Sequence, residues 1–144
     1  MVLSTQWLAW ALMSAAFAAL TAILAKLGVQ GVDPDLATLL RTAVVIVALS
    51  CFVVATGKWR SPAELSGRTL TFLALSGLAT GASWVCYFRA LKLGDASKVA
   101  PVDKLSVVLV AIFAFVFLTE RPTVREWIGI CLIAGGVLLM AVRR

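Results

Sequence analysis

The chain has 144 residues, 62% of them hydrophobic and 14% charged, with a net charge of +6 and a mean hydropathy of +1.02. A water-soluble domain of this size is about half apolar and about a quarter charged, so a soluble fold would expose more continuous apolar surface than water tolerates. There is no His, and Cys51, Cys86 and Cys131 sit singly in apolar runs without CxxC spacing, which leaves no pattern for a zinc or other metal site, a disulfide framework or a Ser/His/Asp hydrolase.

From the N-terminus, Met1 to Ala25 carry no charged side chain. The stretch lacks a basic n-region and exceeds the about 7–15 residues of a signal-peptide core, so a retained membrane span is expected. A span needs about 20 mostly apolar residues. The first is expected over about residues 4–27, with Trp7 and Trp10 as interface anchors, and is broken by Gly28, Gly31 and Pro34. The second is expected over about 35–56, with Arg41 near its start and Gly57 at its end. A polar link with Lys58, Arg60, Pro62, Glu64 and Arg68 follows, in which Ser61-Pro62-Ala63-Glu64 reads as a short helix start or turn. The third span is expected over about 69–91, followed by a short link from Lys92 to Ser97. The fourth is expected over about 98–119 and is stopped by Glu120-Arg121-Pro122-Thr123; the fifth, over about 125–142, ends at Arg143-Arg144.

A bilayer offers no water to open backbone groups, so spanning segments are helices or closed barrels. Barrel strands run about 10 residues and alternate in polarity; these runs are longer and do not alternate. The expectation is therefore an all-α integral membrane protein of five transmembrane helices. Short links make consecutive helices antiparallel neighbours in a single domain. Ala11, Ala15, Ala18, Ala19, Ala22 and Ala25 give the first helix a small-residue surface, and Gly77 and Gly81 form a GxxxG pair on the third. Such positions let helices approach closely. Packing within the chain is expected there, with a dimer contact as the alternative.

Lys and Arg flanking membrane spans at anionic headgroups account for the net charge better than nucleic-acid binding does. The N-terminal side holds Lys58, Arg60, Arg68, Arg121 and Arg125. The opposite side holds Lys26, Arg41, Arg89, Lys92, Lys98, Lys104, Arg143 and Arg144. Setting aside Lys26, Arg41, Arg89 and Lys104, which lie in or at the ends of spans, leaves a weak positive-inside bias. An odd number of spans puts the two ends on opposite sides. Many transporters pair two inverted copies of one repeat, and a single copy inserting both ways would supply both. The alternative is a fixed orientation with the C-terminal side cytoplasmic.

Lys26, Arg41, Arg89, Asp103 and Lys104 all fall in the half of the membrane next to that opposite side. An intramembrane charge costs about 2.5–3.5 kcal/mol at a helix centre. Lys and Arg snorkel outward, whereas Asp103, roughly 7–8 Å along the helix from Lys98 at 1.5 Å per residue, cannot reach far. Its expected partner is Arg41, Lys104 or Arg89. Two readings stand: a proton- or substrate-linked carboxylate in a water-filled vestibule, or a salt-bridged helix start. Pro101 fits a first-turn position, leaving a helix N-terminus that favours anions nearby. The four basic residues outweigh Asp103, so the vestibule is expected to attract an anionic group such as a carboxylate or phosphate. Trp84 and Tyr87, three apart, share a face; they stack on a substrate or belong to an interface belt.

The segment SWVCYFRALKLGDASKVAPVDKLSVVLVAIFAFVFLTERPTVREWIGICLIAGGVLL, residues 83–139, resembles the second half of an EamA domain of the drug/metabolite transporter superfamily. Its most specific part is the stretch from APVDKLSVVLV to the ERPT turn and EWIGICLIAGGVLL, and AKLGVQGVDPDLATLLRT, residues 25–42, also fits. One copy covers the chain, where most EamA proteins carry two, so the likeness is to the single-copy, five-helix bacterial and archaeal group. It implies a multi-pass inner-membrane protein that moves small molecules by alternating access, mainly as an exporter. Lys26, Arg41, Trp84, Tyr87, Arg89, Lys98, Asp103 and Lys104 match positions recurrent in that group. The first helix lacks the membrane-embedded Glu of the related small multidrug resistance proteins, which puts their proton-coupled mechanism in doubt here.

The expectation is thus a secondary transporter of a small, anionic or zwitterionic metabolite, built as an antiparallel homodimer in lipid. Its expected path is lined by Lys26, Arg41, Trp84, Tyr87, Arg89, Asp103 and Lys104. No enzyme chemistry, cofactor or metal is expected. A subunit of a lipid-linked sugar flippase pair and a non-transporting scaffold or accessory subunit are the alternatives.

Overall fold

The computed structural model describes residues 3–141. Within them lie the helices α1 (Leu3–Gly28), α2 (Pro34–Ala55), α3 (Gly67–Leu93), α4 (Ala96–Asp103), α5 (Ser106–Phe117) and α6 (Val124–Ala141), one short 3-10 turn at Pro62–Glu64, and no strand. Five segments are long and apolar enough to cross a bilayer, with α4 and α5 together forming the fourth. The all-helical membrane fold expected from sequence is therefore present. The expected end of the last span at residue 142, and the charges of Arg143 and Arg144, lie outside the described residues.

Local chemistry sets the helix ends. Asp33 is the N-cap of α2: its Oδ1 accepts from the N–H groups of Asp35 and Leu36 at 2.9 and 3.1 Å, and Pro34 follows at the first helical position, where a missing N–H costs nothing. At the other end Gly57 adopts φ +65. The Gly57 N–H donates to the Val54 carbonyl and the Lys58 N–H to the Val53 carbonyl, the pair of bonds that satisfies the last open carbonyls of a helix. Ser61-Pro62-Ala63-Glu64 forms the 3-10 turn, with Ser61 Oγ accepting from the Ala63 N–H. Ser66 then caps α3 by accepting from the Thr69 N–H at 3.2 Å. Thr123 and Glu126 open α6 as a capping box, Thr123 N–H donating to Glu126 Oε2 at 2.6 Å.

The fourth span differs from the single helix expected over about 98–119. It starts at Ala96, with Asp95 at the N-cap position, so Pro101 lies inside α4 and not in its first turn. After Asp103 the backbone tightens. Lys104, Leu105, Val107 and Val108 each donate to the carbonyl three residues earlier, and regular helix resumes at Ser106. An interior proline removes one helical hydrogen bond and crowds the preceding turn, which accounts for a break just beyond it.

The chain divides into two compact units, residues through Leu93 and residues from Gly94. In the first, α3 packs on α1 and α2. Burial is confined to one end, where Ala22, Ala25, Val29, Thr38, Phe88 and Leu91 form the core. The buried Thr38 hydroxyl donates to the Pro34 carbonyl at 2.8 Å, so no polar group is stranded there. Residues 6–20 of α1 and 67–83 of α3 are exposed throughout. The expected close packing of small residues within the chain therefore occurs only at Ala22 and Ala25. A Cβ built at Gly77 or Gly81 meets nothing within 4 Å among the described residues. The reason is that α3 meets its neighbours through its C-terminal half. In the second unit α6 packs on α4 and α5, with Ala114 and Val137 buried and Phe115 edge-on to Trp127 at 6.4 Å.

Candidate functional site

The turn from Val29 to Val32, with Gly31 at φ +77, reverses the chain, so the end of α1 and the start of α2 lie together. The last turns of α3 complete the cluster. Lys26, Arg41, Trp84, Tyr87 and Arg89 thus gather at one end of the first unit, as the sequence placed them in one half of the membrane.

Their partners separate structural charges from an open one. Lys26 Nζ donates to the Leu91 carbonyl at 2.7 Å. Lys92 Nζ donates to the Val29 and Val32 carbonyls at 3.1 and 2.8 Å. Each lysine therefore reaches across to the carbonyls at the end of the other's helix. These groups lack helical partners and carry the negative end of the helix dipole, so the two lysines form a reciprocal clamp between α1 and α3. Arg89 pairs with Asp35 as a two-pronged fork, Nε to Oδ1 at 2.9 Å and Nη2 to Oδ2 at 2.7 Å. The planar guanidinium matches the carboxylate, which fixes the rotation of α3 against α2.

The sequence had placed Arg89 among the candidate partners of Asp103. Asp35 holds it instead, and Asp35 and Lys92 were absent from the expected site. The signal for Asp35 was available: a carboxylate in the first turn of a helix, on the same membrane side as Arg89. Lys92 had been placed in the link. Counting Asp33 and Asp35, this end holds four cations, Lys26, Arg41, Arg89 and Lys92, against two carboxylates.

Arg41 has a different environment. Its Cζ lies 4.3 Å from the centroid of the Trp84 ring and 5.7 Å from that of Phe88. Among the described residues no carboxylate lies within ion-pair distance of it and no carbonyl accepts a hydrogen bond from it. Two aromatic faces hold the cation, each contact worth about 0.5–2 kcal/mol depending on desolvation, and leave its in-plane N–H donors available. Trp84 is half-buried, and its role here is to hold Arg41. Tyr87 is half-buried one turn further along α3.

Arg41 lines a cavity of about 380 Å³, within the range of small-molecule sites. The walls are Leu24, Ala25 and Gly28 of α1, Leu40 and Arg41 of α2 and Phe88 of α3, and no other charged residue lines it. An apolar cleft with one guanidinium can hold an anion without competing countercharges.

Asp103 and Lys104 belong to the second unit, at the α4–α5 break. Lys104 Nζ lies 3.3 Å from Asp103 Oδ2, one of the pairings expected from sequence. Asp95 and Lys98 pair nearby at 3.2 Å. Among the described residues no group of three His, Cys, Asp or Glu side chains is placed to hold a metal.

The Asp35–Arg89 fork gives a direct test. Asp35→Asn should lower the thermal stability of the purified protein, because it leaves Arg89 without its carboxylate inside a spanning helix. The exchange Asp35→Arg with Arg89→Asp should recover most of the loss. A melting curve for the exchange no better than for the single variant would refute the pairing.

Five apolar spans, with a guanidinium-lined cavity inside one end, define a multi-pass integral membrane protein of the transport type. The chain belongs to the EamA-like transporter family, whose pattern it matches over residues 5–142, in agreement with the resemblance read from residues 83–139. A Sinorhizobium protein described as an uncharacterized transporter in the cobO 3' region is 59% identical over 140 residues, covering 97% of this chain and 99% of the relative. A Yersinia pestis protein described as a probable 4-amino-4-deoxy-L-arabinose-phosphoundecaprenol flippase subunit ArnE is 32% identical over 84 residues, covering 58% of this chain and 74% of the relative. No solved structure shows significant similarity.

Proposed function

We propose that the chain is one half of a secondary transporter that exports a small metabolite across the inner (plasma) membrane by alternating access, as an antiparallel homodimer. The observation that carries this reading is Arg41: a cation inside a spanning helix, resting on Trp84 and Phe88 and lining a cavity without a countercharge. Intramembrane charges are costly and commonly mark substrate or ion pathways. Five spans put the ends of one chain on opposite sides, and the exposed faces of α1 and α3, with Gly77 and Gly81 open, offer close-packing surface for an inverted copy.

The antiparallel arrangement is tested by labelling. In a cysteine-free background, Gln30→Cys, in the α1–α2 turn, and Lys58→Cys, in the α2–α3 link, are treated with an impermeant thiol reagent on intact cells and on inverted vesicles. Each site is expected to react from both faces. Reaction of each from one face alone overturns the dual orientation. It then favours the second reading, one subunit of a two-chain flippase, which the flippase-subunit name of the Yersinia relative supports.

Asp103 and Lys104 complete the path in this reading, as a carboxylate–ammonium pair at a helix break able to exchange partners when a proton or substrate arrives. Asp103→Asn is expected to slow liposome flux several-fold and to flatten its pH dependence. Unchanged flux and pH profile would confine the pair to a structural role.

A further inference from the structure

Resting on the transport reading, we infer that the site takes a small amphipathic anion: one phosphate or carboxylate group bound by Arg41, joined to a short apolar body seated between α1 and α2. Of the four cations at this end, Arg89 is held by Asp35, and Lys26 and Lys92 donate to helix-end carbonyls. Arg41 alone is held only by ring faces. A guanidinium stacked in this way keeps its edge donors in one plane, the arrangement that grips two oxygens of a carboxylate or phosphate at once.

The rest of the cavity selects for something other than a bare anion. Its other walls are mostly aliphatic and aromatic, with Leu24 and Leu40 at 58% exposure on either side. An inorganic anion would satisfy Arg41 and leave this apolar lining unfilled. A zwitterionic amino acid would bring an ammonium group to a cavity that holds no carboxylate. A volume of about 380 Å³ suits a small ligand that fills an apolar pocket and places one charge. Charge and lining together therefore point to an anion with a short hydrocarbon portion.

The test uses the full chain in phosphatidylcholine nanodiscs, titrated calorimetrically with inorganic phosphate, butyl phosphate, hexyl phosphate, hexanoate and hexyltrimethylammonium. Hexyl phosphate is expected to bind at least about 10-fold more tightly than inorganic phosphate. Affinity should rise about 2- to 4-fold per added methylene, the gain from burying a CH₂ group, and the cation should not bind. Arg41→Gln should weaken the anions at least about 10-fold. Ala37→Leu, which narrows the cavity, should shrink the dependence on chain length without changing inorganic phosphate binding.

Equal binding of inorganic and hexyl phosphate overturns the amphipathic part of the inference. Binding of the cation, or wild-type affinity in Arg41→Gln, overturns the site. Loss of hexyl phosphate binding when phosphatidylglycerol is added to the nanodisc assigns the groove to membrane lipid and likewise overturns it. If Arg41→Gln fails to fold, the chain-length series and the cation comparison on the unaltered protein decide. Tight hexyl phosphate binding without liposome flux would leave this inference standing and remove the transport reading. Flux of another solute without such binding would do the reverse.

Discussion

Arg41→Gln is expected to cut anion flux in proteoliposomes about 10- to 100-fold, the worth of about 1.5–3 kcal/mol for a hydrogen bond to a charged partner. The chain should still insert and purify, because removing a cation from a spanning helix relieves a cost instead of adding one. Arg41→Lys should fall between the two. It keeps the charge and loses the planar fork and the flat stack on Trp84. Trp84→Leu should weaken binding less than Arg41→Gln, since Phe88 still bounds the guanidinium at 5.7 Å. Flux of hexyl phosphate, read against thermal melting of the same samples, checks the set. An Arg41→Gln protein that transports normally would contradict the proposed path.

The double replacement Lys26→Met with Lys92→Met should produce the largest loss of stability among conservative changes. Each lysine bonds carbonyls at the end of the opposite helix, and each charged hydrogen bond is worth about 1.5–3 kcal/mol. Methionine keeps the apolar stem and removes the ammonium. The expected loss is about 2–4 kcal/mol for the pair, with the second replacement costing less than the first because both hold the same helix ends together. Thermal denaturation of the single and double variants measures this. Strict additivity would show that the two lysines act independently and would argue against a reciprocal clamp.

These expectations separate what is written locally from what is set across helices. The Schellman-type end at Gly57, the Asp33-Pro34 start and the Thr123–Glu126 capping box each involve residues a few positions apart. Their chemistry is legible in the chain itself. The break at Lys104 and Leu105 was less so: Pro101 fits either the first turn of a helix or its interior, and only the start at Ala96 decides which. Asp35 illustrates the opposite limit. Its pairing with Arg89 spans 54 positions, and the rotation of α3 about its axis selects it over other carboxylates on the same membrane side.

By itself the sequence determined the membrane fold, the number of spans, the gathering of Lys26, Arg41, Trp84, Tyr87 and Arg89 near one membrane face, and the family. Hydropathy is summed along the chain, and span length is fixed by the bilayer. The tertiary structure alone decided which of those charges are occupied. It showed Lys26 and Lys92 on helix-end carbonyls, Arg89 on Asp35 and Arg41 on two aromatic rings beside a cavity. A side chain's partner depends on the distances and rotations of helices far apart in sequence, and one-dimensional spacing does not encode them.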